Sequence, residues 1–260
     1  TGADLFIGTG ATFNTTTGFV TLPAETSTTA VGFRVSGGTL NLGVFTSREK
    51  QVSGSYTALD AANTLKYTGL TGSLGSARLQ GVDAVKMIGS GLTLSLNRVS
   101  SGTAVMDWKQ GKTLVTDANN PLAAAGVALS ATDPTFQIGG AVGLSIADVV
   151  FGSATINLSL TSVSGVDDPS IDGTTARLRG SLLAVNISGA SLFIGSGASL
   201  NEDSNSVDFG KVALPPSNDS RAVGFSVSGG SLDLGIFTAR EAAADGQAYQ
   251  TLGTARKYTG

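Results

Sequence analysis

The chain has 260 residues, a formal net charge of −3, no cysteine and no histidine, which excludes disulfides, thiolate metal sites, histidine-based catalytic triads and the usual zinc ligands. Its 16 lysines and arginines form no cluster, so there is no basic face for nucleic acid and no polybasic membrane anchor. Charged residues are 13%, hydrophobic residues 41% and glycines 36 in number, a mix that suits many strands joined by tight turns better than long helices.

In chain order, residues 2–14 (GADLFIGTGATFN) come first. Their Gly8-Thr9-Gly10 lacks the Lys-Ser/Thr and the helix that a phosphate loop needs. Residues 30–49 follow, in which Leu40, Leu42 and Val44 alternate with small or polar residues. Strict period two predicts a half-buried strand with one dry and one wet face. Residues 47–50 and 58–65 carry a short helical pattern, as do 117–125 and 240–244. The alternation returns in Leu92, Leu94 and Leu96, and again in Ala154, Ile156, Leu158 and Leu160. Glycines introduce these runs and mark turns or bulges. No apolar run reaches 18 residues, so no helical membrane span is predicted.

At residue 189 the chain begins again. Residues 189–201 (GASLFIGSGASLN) match 2–14 at nine of thirteen positions. Residues 222–241 (AVGFSVSGGSLDLGIFTARE) match 30–49 (AVGFRVSGGTLNLGVFTSRE) at fifteen of twenty, and Lys66-Tyr67-Thr68-Gly69 returns as Lys257-Tyr258-Thr259-Gly260. The second copy carries five extra residues between Asn201 and Val212, polar as a surface loop should be. The sequence therefore predicts tandem units of about 190 residues: 1–188 as one unit, starting just inside it, and 189–260 as the first third of the next. A parent chain is expected to continue after Gly260 with a stretch like Leu70-Thr71-Gly72-Ser73-Leu74.

Without histidine, paired carboxylates are the remaining route to catalysis. Of the acids in the overlap, only Glu49/Glu241 recurs, beside Arg48/Arg240, and a surface pair or loop anchor is the simpler reading. Calcium is the candidate ligand, with Asp167, Asp168 and Asp172 as its candidate metal ligands. The acidic loops at 117–120 and 201–208 are further places where carboxylates and amides gather. None matches an EF-hand or a calcium-binding nonapeptide, so a solvated turn competes at each. Asp107-Trp108 holds the only tryptophan, read as a buried strand aromatic in preference to an exposed sugar platform. Phe33/Phe225 and Phe45/Phe237 recur and read as packing residues.

Residues 189–201, 70–82 (LTGSLGSARLQGV), 105–108 (VMDW) and 136–160 (FQIGGAVGLSIADVVFGSATINLSL) resemble repeats of very large bacterial proteins that carry many such units in tandem. The resemblance implies secretion or surface exposure and carries over no catalytic residue. In those relatives the segment matching 166–178 is richer in Asp and Gly; here Pro169 and Ile171 interrupt it, which weakens calcium binding.

The expectation is an all-β protein, an elongated antiparallel β-sandwich or irregular β-solenoid. Its role would be structural or adhesive at the cell surface, not enzymatic. Its partners would be adjacent repeats of the same protein in a homopolymer or fibre. The alternatives are a glycan- or cell-binding module, a polysaccharide-active enzyme on a β-scaffold, and a conduit whose apolar face carries lipid.

Overall fold

A computed structural model describes residues 3–260 apart from 25–26, 28, 103, 110–121, 169–176, 205, 217, 221 and 245–246. The strands are β1 (Ala3–Thr9), β2 (Thr12–Phe13), β3 (Val20–Thr21), β4 (Val31–Thr46), β5 (Glu49–Val52), β6 (Ser55–Ala58), β7 (Lys66–Gln80), β8 (Val85–Val99), β9 (Phe136–Ile146), β10 (Val150–Asp167), β11 (Arg177–Ser196), β12 (Ser199–Leu200), β13 (Val212–Ala213), β14 (Val223–Ala243) and β15 (Gln250–Thr259). Nine of them form one sheet in the order β1-β4-β7-β8-β9-β10-β11-β14-β15, and every neighbouring pair is antiparallel. The other six pair as short hairpins, β2-β3, β5-β6 and β12-β13. The protein is thus all-β, built on one large open antiparallel sheet. Among the described residues the only helical element is a 3-10 turn at Ala123–Ala125.

Three of the four helical expectations give way to extended or turn structure. Residues 49–52 fold back on 55–58 through Ser53 and Gly54, both at positive φ (50° and 85°), which is a tight hairpin turn. Residues 240–243 continue β14, because β11 lies alongside and supplies Leu178 opposite Ala242. At 60–64 the Asp60 carboxylate accepts the Asn63 N–H at 2.8 Å, a side-chain-capped turn. Of 117–125, the 3-10 turn occupies the end, and 117–121 lies outside the described residues.

The period-two rows align across the sheet. Leu42 lies opposite Leu70, Leu70 opposite Leu96, Leu96 opposite Phe136, Phe136 opposite Leu160, and Leu160 opposite Leu183. Leu183 in turn faces Ile236, so one face is apolar through seven consecutive strands. The long strands are interrupted near mid-length. Gly37 and its counterpart Gly229 sit at φ 69° and 71°, a conformation that costs a side-chain-bearing residue about 1–2 kcal/mol. The register slips along the same line in neighbouring strands, between Ser90 and Thr93, Ser153 and Thr155, and Ile187 and Leu192. The apolar rows on the two sides of this line meet in a groove of about 350 Å³ lined by Leu5, Val35, Leu40, Leu74, Leu92 and Ile138. The apolar face is therefore concave along this line.

The opposite face carries the buried clusters. Ile88, Phe151, Phe193, Leu200 and Phe209 form one, Trp108, Val127 and Leu129 a second, and Leu178, Phe237 and Ala239 a third. Loops and hairpins lie over that face, while the concave face keeps large side chains exposed, among them Leu40 at 70% and Phe225 at 63%. Phe237 is buried and stacks on Tyr258, so its packing role holds. Phe225 departs from that reading, because it stands on the uncovered concave face.

Candidate interface between the recurring segments

The recurring segments share their pairing as far as Thr46 and Thr238, beyond which Glu49 enters the β5-β6 hairpin and Glu241 continues β14. Leu5 faces Val35 as Leu192 faces Val227, and Ala3 faces Gly38 as Ala190 faces Gly230. At the other end Phe45 faces Tyr67 as Phe237 faces Tyr258. The second copy starts in β11, the direct neighbour of β10, so the sheet runs from one copy into the next without a break. From β1 to its counterpart in β11, the sheet adds β4, β7, β8, β9, β10 and β11 itself.

A second contact locks the copies together. The hairpin β12-β13 belongs to the second copy, yet it packs on β8, β9 and β10 of the first. Its Leu200, with Phe209, fills the cluster made by Ile88, Phe151 and Phe193. Gly143 of β9 leaves room for the hairpin: a Cβ there would lie 1.9 Å from the Gly210 carbonyl oxygen. The Val212 N–H donates to Ser153 Oγ at 3.1 Å, and Ser90 Oγ donates to the Phe209 carbonyl at 3.3 Å. Arg78 donates to the Glu202 carbonyl at 3.1 Å, and Lys86 lies 3.0 Å from the Glu202 carboxylate and 3.5 Å from Asp148. The Lys86 ammonium is held above its ordinary pKa, chiefly by its hydrogen bond to Glu202, against partial desolvation. In the first copy the same hairpin is β2-β3, which joins no buried cluster among the described residues. Phe13, the counterpart of Leu200, is 63% exposed where Leu200 is 8% exposed.

Trp108 is buried, but from a turn and not a strand. Its indole lies over Gly43 and Gly69, where a Cβ on either would fall 2.5 Å from a ring atom. Its Nε1 donates to Asn97 Oδ1 at 3.1 Å, and Asn97 Nδ2 donates to the carbonyls of Met106 at 2.8 Å and Ser130 at 3.2 Å. Asn97 is fully buried, so this amide holds the loop onto the sheet. Nearby, the Asp133 carboxyl is pulled below its ordinary pKa, first by the backbone N–H of Ser130 and also by Lys109 at 3.6 Å.

The calcium candidates do not converge. Asp168 is buried and engaged by the Arg256 guanidinium and by the Tyr258 hydroxyl at 3.3 Å. Asp167 is exposed, 3.7 Å from Arg177, and Asp172 lies outside the described residues. Among the described residues no group of three or more acidic side chains gathers as a metal site would require. The recurring Arg-Glu pair does not pair with itself: Glu241 lies 3.2 Å from Arg179, whose guanidinium stacks 4.0 Å over Tyr249. Within 70–188, where paired catalytic acids remained open, Asp148 is held by Lys86, which also holds Glu202 of the second copy. No helix among the described residues is long and apolar enough to cross a membrane. Compared with protein-family models, curated proteins and solved structures, the chain matches none.

Proposed function

We propose that this chain is a segment of a long tandem-repeat protein of the bacterial cell surface, extracellular and structural or adhesive, in which units of about 190 residues extend one antiparallel sheet. The observation that carries the reading is the shared register of the two copies within a single sheet, reinforced by a hairpin of one copy docked on strands of the other. Each unit would add six strands, or ~29 Å at the usual ~4.8 Å strand spacing. The covering hairpins make a partial second layer, so an array approaches an elongated sandwich. Continuous pairing leaves no open sheet edges between units, and docked hairpins resist bending there. Its mechanism is geometric, its partners are further copies of the unit, and the reading assigns no catalytic residue and no cofactor.

Electron microscopy tests this on chains carrying one, two and four copies of residues 1–188 ahead of residues 189–260. Particles that lengthen stepwise at constant width support the proposal. Beads of fixed size on bendable links refute it.

A further inference from the structure

The concave face poses a question that the array does not answer. It is apolar through seven strands and keeps Leu40, Leu42, Phe225 and Leu232 exposed, and a contiguous exposed apolar face marks a binding surface. Charge narrows the choice of occupant. At one end of the face the strand alternation brings up cations: Lys66 opposite Thr46, Arg98 opposite Thr68, and Lys257 opposite Thr238. Arg240 joins them, lining with Arg98, Phe136, Leu160, Ser162 and Ser181 a cavity of about 690 Å³. All four cations are exposed, and among the described residues none is salt-bridged to a carboxylate. No carboxylate is among the described residues that line that cavity. Asp83 and Asp148 lie away from this face, beside Lys86, which meets Glu202 of the hairpin on the covered side.

Two candidates fit this pattern poorly. A second copy laid face to face would bring two concave surfaces together and leave the groove unfilled, since packed sheets interdigitate at about 10 Å. It would also bring too few free acids to meet four cations. A flat bilayer surface cannot reach the bottom of a concave groove. A single amphiphile can: its chains lie along Leu40, Leu92, Leu94 and Ile138, and its anionic head sits among the arginines and serine hydroxyls. Arginine forks suit phosphate oxygens.

We infer that the concave face binds individual anionic phospholipids, with the phosphate at Arg98 and Arg240 and the acyl chains in the leucine-lined groove. The inference does not depend on the array, since every residue it uses lies within this chain.

The test incubates the 260-residue chain with vesicles of phosphatidylglycerol or of phosphatidylcholine. Vesicles are removed by centrifugation, and lipid in the soluble fraction is measured by mass spectrometry. The expected result is that the chain carries phosphatidylglycerol away, and phosphatidylcholine about tenfold less or lower still, because the phosphate of phosphatidylcholine is neutralised by its own quaternary ammonium, which the four cations repel. The double variant Arg98→Gln/Arg240→Gln loses that preference while keeping the wild-type urea midpoint, because both side chains are exposed. Leu94→Asn reduces carriage of both lipids. The inference is overturned if no lipid is carried, or if both lipids are carried equally and the arginine variant changes nothing. It is also overturned if the chain sediments with intact vesicles without extracting lipid, or if it forms a dimer that Leu94→Asn dissolves.

Discussion

Leu200 and Phe13 occupy the same position in the two copies, so the chain contains its own control for the docking of one copy on the other. Leu200 is 8% exposed among Ile88, Phe151, Phe193 and Phe209, whereas Phe13 is 63% exposed. Truncating a buried leucine costs about 2–5 kcal/mol through lost transfer energy and the cavity left behind. Truncating an exposed side chain with no special contact changes stability by about 0.5 kcal/mol or less. Leu200→Ala is therefore expected to lower the urea midpoint by about 1–3 M, taking a loss near 3 kcal/mol and a slope of about 1–3 kcal/mol/M. Phe13→Ala should leave the midpoint close to wild type. Amide exchange adds a local readout: Val212, whose N–H donates to Ser153 Oγ, should exchange faster in Leu200→Ala and unchanged in Phe13→Ala. Equal shifts for the two variants, or a Leu200→Ala midpoint indistinguishable from wild type, would show that the hairpin is not docked and would refute the reasoning.

Other outcomes follow from the same contacts. Gly143→Ala places a methyl 1.9 Å from the Gly210 carbonyl and should release the hairpin, whereas Gly152→Ala, whose nearest contact is 3.8 Å away, should be tolerated; limited proteolysis within 199–213 separates them. Asn97→Ala strands the Trp108 indole N–H and two carbonyls and should cost about 1–3 kcal/mol for each orphaned group, with a red-shifted tryptophan emission as the loop loosens. Because the Lys86 pKa is raised in the fold, its contribution is full below the ordinary lysine value of about 10.4 and is lost as pH rises through the raised value. The stability gap between wild type and Lys86→Met, read from urea midpoints, should therefore hold from neutral pH to about pH 10 and close above it. Asp133 runs the other way: its lowered pKa gives a contribution present above the ordinary value of about 3.9 and lost as pH falls through the depressed one. The gap to Asp133→Asn should close in acid.

What could be read from the sequence was whatever depends on near neighbours or on exact recurrence. The rows Leu40-Leu42-Val44 and Leu92-Leu94-Leu96 announced strands but misplaced the dry face: Leu40, Leu42 and Val44 are more than half exposed, while Gly43, Gly69 and Asn97 on the other side are buried. The matched segments announced that positions 5 and 192, or 45 and 237, take corresponding strand partners. Alternation does not say whether a dry face is covered, and here the exposed Leu40 and the half-buried Leu94 turn theirs toward an open groove. The slot for Trp108 needs Gly43, Gly69 and Asn97 on three adjacent strands, a set that only the register brings together. Asp168 looked like a calcium ligand beside Asp167, yet its partner Arg256 is 88 residues away and reaches it only once β15 is in place. The helical pattern at 240–244 lost to β11, because a partner strand satisfies backbone groups that a short isolated helix leaves open.

Fibre diffraction from an oriented sample of chains bearing several copies tests the central claim most directly. If every copy extends one sheet, the ~4.8 Å inter-strand reflection falls along the long axis of the particle, with an axial repeat of ~29 Å for each unit. If each copy closes into its own globule, a 188-residue body is about 40 Å across and the inter-strand reflection has no preferred direction. That pattern would contradict the continuous sheet.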